Sequence, residues 1–88
     1  MKLKKVSESK TFSVNLDGEI LTYTLERSLS KNGTYSYSIF RKDSETSNFY
    51  WKLDVIEVLS RVVEKILEIP ITTIDNGTRL GNIVWEEL

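Results

Sequence analysis

Residues 11–25 read TFSVNLDGEILTYTL, in which apolar and polar side chains alternate on both sides of an Asp-Gly pair. Such alternation is the period of a strand with one buried face. Asp17-Gly18 is a preferred pair for a two-residue type I′ turn, because both central residues of that turn need a positive φ. A two-residue loop pairs Leu16 with Glu19 and brings the apolar side chains of both strands onto one face. These residues therefore predict a β-hairpin.

Residues 31–34 read KNGT and predict a second hairpin. A two-residue loop, Asn32-Gly33, would place the tyrosines of the next strand on the polar face, because a slip of one residue flips every side chain. A three-residue loop ending at Gly33 instead pairs Leu29 with Tyr35, and the apolar faces then coincide. We therefore expect a type I turn with Gly33 in the left-handed conformation, forming a G1 bulge.

The two hairpins together predict a three-stranded antiparallel meander with one apolar face. That face carries Phe12, Val14, Leu16, Leu21, Tyr23, Leu25, Tyr35, Tyr37 and Ile39. The opposite face is rich in serine and threonine, with Ile20 and Phe40 as apolar exceptions. A sheet of this kind needs a helix or a second sheet over its apolar face.

An amphipathic helix that could cover the sheet is predicted next in the chain. Apolar residues occur at positions 55, 56, 59, 62, 63, 66, 67 and 69, which is the spacing of one helix face. Asp54 and Glu57 fit a capping box at its start. Ser47 or Asn48 could instead begin the helix a turn or two earlier. Pro70 sets the end, since the residue before proline avoids helical geometry.

The C-terminal segment allows two interpretations. Residues 71–75 contain β-branched side chains and could form a short fourth strand. Helical spacing is found at Leu80, Ile83, Val84 and Leu88, with Trp85 on the flank. We favour a short C-terminal helix, although Gly81 weakens that prediction because glycine disfavours helix interiors.

The predicted fold class is α+β: a three-stranded antiparallel β-meander covered by one amphipathic α-helix, with a short fourth strand, a short C-terminal helix, or both. We expect residues 1–88 to form a single domain, with residues 1–9 as a flexible basic N-terminus. No run approaches the roughly 18 apolar residues of a membrane helix. The basic start has no apolar run behind it that would make a signal peptide. A cytoplasmic protein with no membrane contact is expected.

The chain contains no histidine and no cysteine. Histidine is the side chain that titrates near neutral pH and the commonest metal ligand, so histidine-activated nucleophiles are excluded. Without cysteine there is no disulfide framework and no thiolate zinc site, which fits a reducing compartment. We therefore expect no catalytic, cofactor-binding or metal-binding residues, and no enzymatic activity.

Charge is unevenly distributed along the chain. The formal net charge of -1 combines +3 in residues 1–10, zero in residues 11–53 and -4 in residues 54–88. The basic start supplies candidate nucleic-acid-binding residues. These are Lys2, Lys4, Lys5 and Lys10. The near-neutral total argues against a nucleic-acid-binding domain, because such domains are usually strongly basic.

Phe49, Tyr50 and Trp51 form a run of three aromatic residues. Three consecutive side chains cannot all point to one side of a helix or a strand, so at least one is expected at the surface. Exposed aromatic residues are frequent in the energetic centres of protein interfaces. The candidate partner-binding residues are Phe49, Tyr50, Trp51, Phe40, Trp85, Glu86 and Glu87.

The leading hypothesis from the sequence is a small non-enzymatic protein-binding module. Its acidic last third is typical of an inhibitor or regulator that competes for a basic nucleic-acid channel. The amino-acid bias, with no alanine and frequent isoleucine, lysine and asparagine, suggests an AT-rich source such as a phage or mobile element, and hence an anti-defence or anti-CRISPR role. The alternatives are a single-stranded nucleic-acid-binding module that uses the basic N-terminus and a homo-oligomerising structural domain, so the chain could be a monomer or a homodimer. The sequence does not identify the protein partner.

Overall fold

The computed structural model, which describes residues 7–42, 46, 49–72 and 76–88, contains a four-stranded antiparallel sheet and two helices. The strands lie in the order β1-β2-β3-β4. Their bounds are β1 Ser7–Leu16, β2 Glu19–Leu29, β3 Tyr35–Arg41 and β4 Trp51–Leu53. Helix α1 is Val55–Arg61 and continues into a π-helical segment, Val62–Ile66, and helix α2 is Gly77–Glu87. The predicted α+β fold class, with its meander, is confirmed.

The first hairpin has the predicted register. Leu16 pairs with Glu19 across a two-residue turn. Asp17 and Gly18 have φ angles of 54° and 86°, as a type I′ turn requires. The Asn15 side-chain oxygen accepts a hydrogen bond from the Gly18 N–H at 3.0 Å. Local turn chemistry and the apolar pattern therefore agree here.

The second hairpin also follows the sequence. Leu29 pairs with Tyr35, so the loop has the length that aligns the apolar faces. Gly33 has a φ of 86°. The Ser30 N–H donates to the Thr34 carbonyl at 2.8 Å, which closes the loop on a hydrogen-bonded pair. The prediction of a left-handed glycine at this turn is confirmed.

Both helices pack on the same face of the sheet, because the buried strand residues all lie on that face. The sheet contributes Phe12, Leu16, Leu21, Tyr23, Leu25 and Ile39 to the core. The helical layer contributes Leu59, Val62, Val63, Leu80, Val84 and Trp85. The result is two layers around one core, and neither of the described helices lies over the second face of the sheet.

The fourth strand lies before the helix rather than after it. Trp51 pairs with Arg41 and Leu53 pairs with Ile39, so β4 extends the sheet beside β3. The alternative of a strand over 71–75 does not hold for residues 71 and 72, which have no regular secondary structure, and residues 73–75 lie outside the described part of the chain. The three residues of β4 are too few to show a periodic pattern, so only their pairing with β3 identifies them.

The covering helix begins where the capping box predicted. Asp54 is the N-cap, and its carboxylate accepts the Glu57 N–H at 2.9 Å. An earlier start is excluded by β4, which occupies the preceding residues. Ser47 and Asn48, the alternative starting points, lie outside the described residues.

The end of this helix departs from regular α geometry. The Leu67 N–H donates to the Val62 carbonyl at 3.1 Å, five residues back. The wider turn rotates Ile66, a member of the predicted apolar stripe, to the surface. The chain then leaves the helix at Glu68, which has a φ of 56°. The last helical residue, Ile66, is four residues before Pro70, so the helix ends ahead of a left-handed residue rather than at the proline itself.

Helix α2 confirms the favoured interpretation of the C-terminal segment. Asn76 caps it, because its side-chain oxygen accepts the Arg79 N–H at 2.9 Å. Gly81 is buried where the ring of Tyr37 crosses the helix, and a Cβ at this position would overlap that ring. The glycine that weakened the helix prediction is thus the residue that lets the helix approach the sheet.

Candidate protein-binding surface

The three consecutive aromatic residues are all exposed. Phe49, Tyr50 and Trp51, named here the aromatic segment, have 74%, 57% and 48% of their surface accessible. They lie immediately before and within β4, at one edge of the sheet. Large apolar side chains exposed together are characteristic of interaction surfaces, whereas single exposed ones are common everywhere.

The aromatic segment presents rings on both sides of this edge. Trp51 lies opposite Arg41, which itself pairs with the core residue Tyr23, so Trp51 is on the helix-covered face. Tyr50 lies toward the open face, where the Lys42 ammonium is 5.2 Å from the centre of its ring. A partner that approached this edge could therefore contact aromatic surface above and below the sheet.

Phe40 extends the aromatic segment on the open face and is half-buried. Together with Tyr50 it borders an open depression of about 410 Å³. The other residues around this depression are Ser9, Thr11, Thr24 and Glu26. The candidate residues Phe40 and Tyr50 are therefore brought together, with hydroxyl groups and one carboxylate beside them.

Trp85 does not belong to this surface, and its assignment as a partner-binding residue was wrong. It is 5% exposed, within the core. Its ring lies 6.4 Å from that of Tyr37, 4.1 Å from the Arg27 guanidinium and 4.5 Å from the Lys10 ammonium. On the helix it is four residues after Gly81 and so on the same face, which packs against the ring of Tyr37. That i, i+4 relation was the available sequence signal.

Arg27 is held between two aromatic rings and an acid. It lies 4.1 Å from the ring of Tyr35 and 4.1 Å from that of Trp85, and it pairs with Glu8 at 3.4 Å. Burial lowers the pKa of the guanidinium, but the nearby Tyr37 hydroxyl and the charge of Glu8 raise it, and the net shift is upward. Arg27 is therefore a permanent cation that fixes this end of the sheet against α2.

Glu86 and Glu87 are exposed at the end of α2. They follow Trp85, whose carbonyl accepts a hydrogen bond from the Lys10 ammonium of β1 at 3.3 Å. The aromatic segment adjoins β4, at the other edge of the sheet. The structure therefore separates the acidic and aromatic candidates that the sequence analysis grouped together.

Acidic side chains on the outer surface of the helical layer are not neutralised by nearby bases. Arg61 and Lys65 both pair with Asp17 of the first turn, at 3.8 Å and 3.4 Å. Within the described residues, five exposed glutamates of this layer form no ion pair. These are Glu57, Glu64, Glu68, Glu86 and Glu87.

The basic candidates are only partly within the described chain. Lys2, Lys4 and Lys5 lie outside it. Lys10 is half-buried, and its ammonium points inward onto Trp85 rather than into solvent. Residues 7–9, assigned by the sequence analysis to the flexible N-terminus, belong to β1. The described residues therefore contain no basic surface made of these four lysines.

A cavity of about 810 Å³ lies between β3 and the starts of the two helices. Its polar side chains have structural roles. Asp54 and Asn76 cap the helices, the Tyr37 hydroxyl donates to Asn82 at 2.5 Å, and the Thr78 hydroxyl donates to the Tyr35 carbonyl at 3.2 Å. Asp54 is the single carboxylate among the described residues of its lining, so these residues supply no pair of acids for general acid–base work.

Within the described ranges, no three acidic side chains converge as a metal site would require. No helix among them has the length and apolar character needed to cross a membrane. No protein-family model, curated protein or solved structure matches the chain. The surfaces of the chain itself are therefore what indicates its function.

Proposed function

We propose that this chain is a non-enzymatic protein-binding module and that the aromatic segment is the centre of its binding surface. The observation that carries the proposal is the joint exposure of Phe49, Tyr50 and Trp51 beside β4. A small domain gains stability by burying such side chains, and leaving three of them in water is unfavourable unless a partner covers them. Phe40 adds apolar surface on the open side.

The proposed partner is a larger enzyme that acts on nucleic acid, and the module inhibits or regulates it. The unpaired glutamates on the helical layer support this choice, since an acidic surface complements a basic nucleic-acid channel and accelerates encounter with it. The aromatic segment would then provide the apolar contact, while the acids would steer association. The phage or mobile-element origin and the cytoplasmic location inferred from composition belong to this same proposal.

The experiment is affinity capture from the native host lysate followed by mass spectrometry, with the wild-type chain and two variants. Trp51→Ala removes the central ring. Leu29→Ala is the matched control, because Leu29 is 46% exposed and Trp51 is 48% exposed. Leu29 pairs with Tyr35 and Trp51 pairs with Arg41, at opposite ends of β3. These two ends are about 20 Å apart at roughly 3.4 Å per residue.

We expect one enzyme to be enriched by the wild type and by Leu29→Ala, and to be lost with Trp51→Ala. Removal of a central interface tryptophan typically costs at least about 2 kcal/mol, or roughly 30-fold in Kd. Equal capture by all three chains would contradict the proposal. Capture that disappears after nuclease treatment would instead favour the nucleic-acid-binding alternative. Circular dichroism of each variant checks that folding is unchanged.

A further inference from the structure

The second edge of the sheet is long and open. β1 has ten residues, and of the described strands it neighbours β2 alone. At the opposite edge, β4 has three residues. Natural proteins protect sheet edges by making them short or by placing charges, prolines or bulges on them, since an unprotected edge pairs with other strands. β4 is protected by its length, whereas β1 is not.

The first hairpin determines which backbone groups of β1 face outward. Leu16 and Glu19 flank a two-residue turn, and such a turn closes on a hydrogen-bonded pair. Hydrogen-bonded and non-bonded pairs alternate along an antiparallel ladder. The N–H and C=O groups that point away from β2 therefore belong to Ser7, Ser9, Thr11, Ser13 and Asn15.

The one exposed charge on β1 is Glu8, near the start of the strand, and its carboxylate pairs with Arg27 of β2 at 3.4 Å. Among the outward residues 7, 9, 11, 13 and 15 none is charged, and β1 contains neither proline nor a bulge in its pairing with β2. Lys10, the one lysine of the strand, is withdrawn, because its ammonium donates to the Trp85 carbonyl at 3.3 Å and lies over the indole ring.

We propose that the β1 edge pairs with β1 of a second copy of this chain, antiparallel and centred on Thr11. This register uses the whole outward row of both copies. In this register each residue of one copy lies opposite one residue of the other. The pairs are Thr11 with Thr11, Ser9 with Ser13, Ser7 with Asn15, Lys10 with Phe12, and Glu8 with Val14.

Charge and chemistry support this register. On the open face it continues the hydroxyl pairs already present within one copy, Thr11 with Thr24 at 3.2 Å and Ser13 with Thr22 at 2.7 Å. No like charges stand opposite each other. A shift of the centre to Lys10 would place the two lysines face to face, which is unfavourable. Such a contact is isologous and closes on itself, as in most homodimers.

The dimer leaves the aromatic segment free. β4 is three strands away from β1, so the eight-stranded sheet would carry one aromatic segment at each outer edge. At about 4.8 Å per strand, the two β4 strands would be about 34 Å apart. The inference does not depend on the proposed function, because Trp51, the residue that tests that function, lies at the opposite edge of the sheet. The depression beside Phe40 and Tyr50 does reach Ser9 and Thr11 of β1.

Light scattering over a range of protein concentrations, at physiological ionic strength, tests the dimer. The wild-type mass should rise from 10.2 kDa toward twice that value. Thr11→Pro removes an outward N–H, and proline is tolerated on an edge strand when its missing N–H faces solvent. This variant should stay at 10.2 kDa at every concentration, while Thr11→Ala, which keeps the N–H, should still dimerise.

Single cysteines test the register, since the chain has no cysteine of its own. The two Cα atoms of Thr11→Cys would lie about 5.5 Å apart across the two-fold axis, within disulfide range. Those of Ser9→Cys would be about 14 Å apart, too far for a bridge. Under mild oxidation we expect rapid cross-linking of the first variant and little of the second.

Several outcomes would overturn the proposal. One is a wild type that remains monomeric at the highest concentration tested. Another is a Thr11→Pro variant that dimerises like Thr11→Ala while unfolding cooperatively. Equal cross-linking at Ser9→Cys and Thr11→Cys would indicate random collision, and faster cross-linking at Ser9→Cys would contradict this register. A loss of capture in the Trp51→Ala experiment leaves each of these results unchanged, so the two proposals fail separately.

Discussion

The two faces of the sheet are built from alternate residues of the same strands, yet they differ in how deeply their side chains are buried. On one face Leu25 and Ile39 are completely buried under the helices. On the other, Thr11 and Thr24 share a hydroxyl contact in solvent. Since the backbone hydrogen bonds serve both faces equally, the difference between the faces comes from the helical layer and not from the sheet pairing.

The largest expected effect is at the centre of the covered face. Leu25→Ala removes a completely buried side chain and leaves a cavity that neighbours on two layers cannot close. We expect a loss of about 2–5 kcal/mol in the free energy of unfolding. Urea denaturation of the variant beside the wild type measures it. A loss below about 1 kcal/mol would mean that the core is far looser than this burial implies.

A smaller loss is expected where helix and sheet approach most closely. A Cβ at Gly81 would overlap the ring of Tyr37, and overpacking typically costs about 1–3 kcal/mol, partly offset by the better helix propensity of alanine. Gly81→Ala should therefore lower the thermal midpoint. Gly77→Ala is the matched control, since its Cβ would lie 3.3 Å from a Val55 methyl that can shift. Equal melting of the two variants would argue against this close approach.

The second turn determines which residues reach which face. Gly33 has a φ of 86°, and alanine in the left-handed region costs roughly 1 kcal/mol. Gly33→Ala should lower the free energy of unfolding by that amount and leave the folded register unchanged. Amide exchange at Leu29 and Tyr35 reports the register. A neutral effect would mean that the turn can take another shape.

The smallest effect is expected on the open face. Ser13→Ala removes a hydroxyl that is 2.7 Å from that of Thr22 in solvent. Cross-strand pairs of this kind contribute about 0.2–1 kcal/mol, and an exposed one lies at the lower end. Chemical denaturation should detect a change of at most a few tenths of a kcal/mol. A loss comparable to that of Leu25→Ala would abolish the distinction between the two faces.

Much of this fold follows from local rules. The turns at Asp17-Gly18 and Gly33 and the cap at Asp54 were predictable, because each depends on residues that are neighbours in the chain. The aromatic segment was also recognisable, since no single helix or strand face can hold three consecutive rings. Its exposure required the structure, because burial depends on what packs nearby.

The features that were missed involve contacts between distant residues. Nothing within Trp51–Leu53 marks it as a strand, and it becomes one because the edge of β3 accepts its hydrogen bonds. Trp85 looked like a flanking residue of α2, yet it is buried because Tyr37 and Arg27, from two different strands, lie beside it. The π-helical turn that exposes Ile66 had no signal in the apolar spacing.

The amino-acid sequence determines the two hairpins, the face of each strand, the start of α1 and the absence of histidine and cysteine chemistry. Those properties depend on backbone preferences and side-chain periodicity over a few residues. Three properties are decided only by the tertiary structure. The aromatic segment lies apart from Glu86 and Glu87, the Lys10 ammonium points inward, and β1 pairs with β2 alone among the described strands. These properties arise because packing and edge pairing join residues that are far apart in the chain, and local preferences do not specify such contacts.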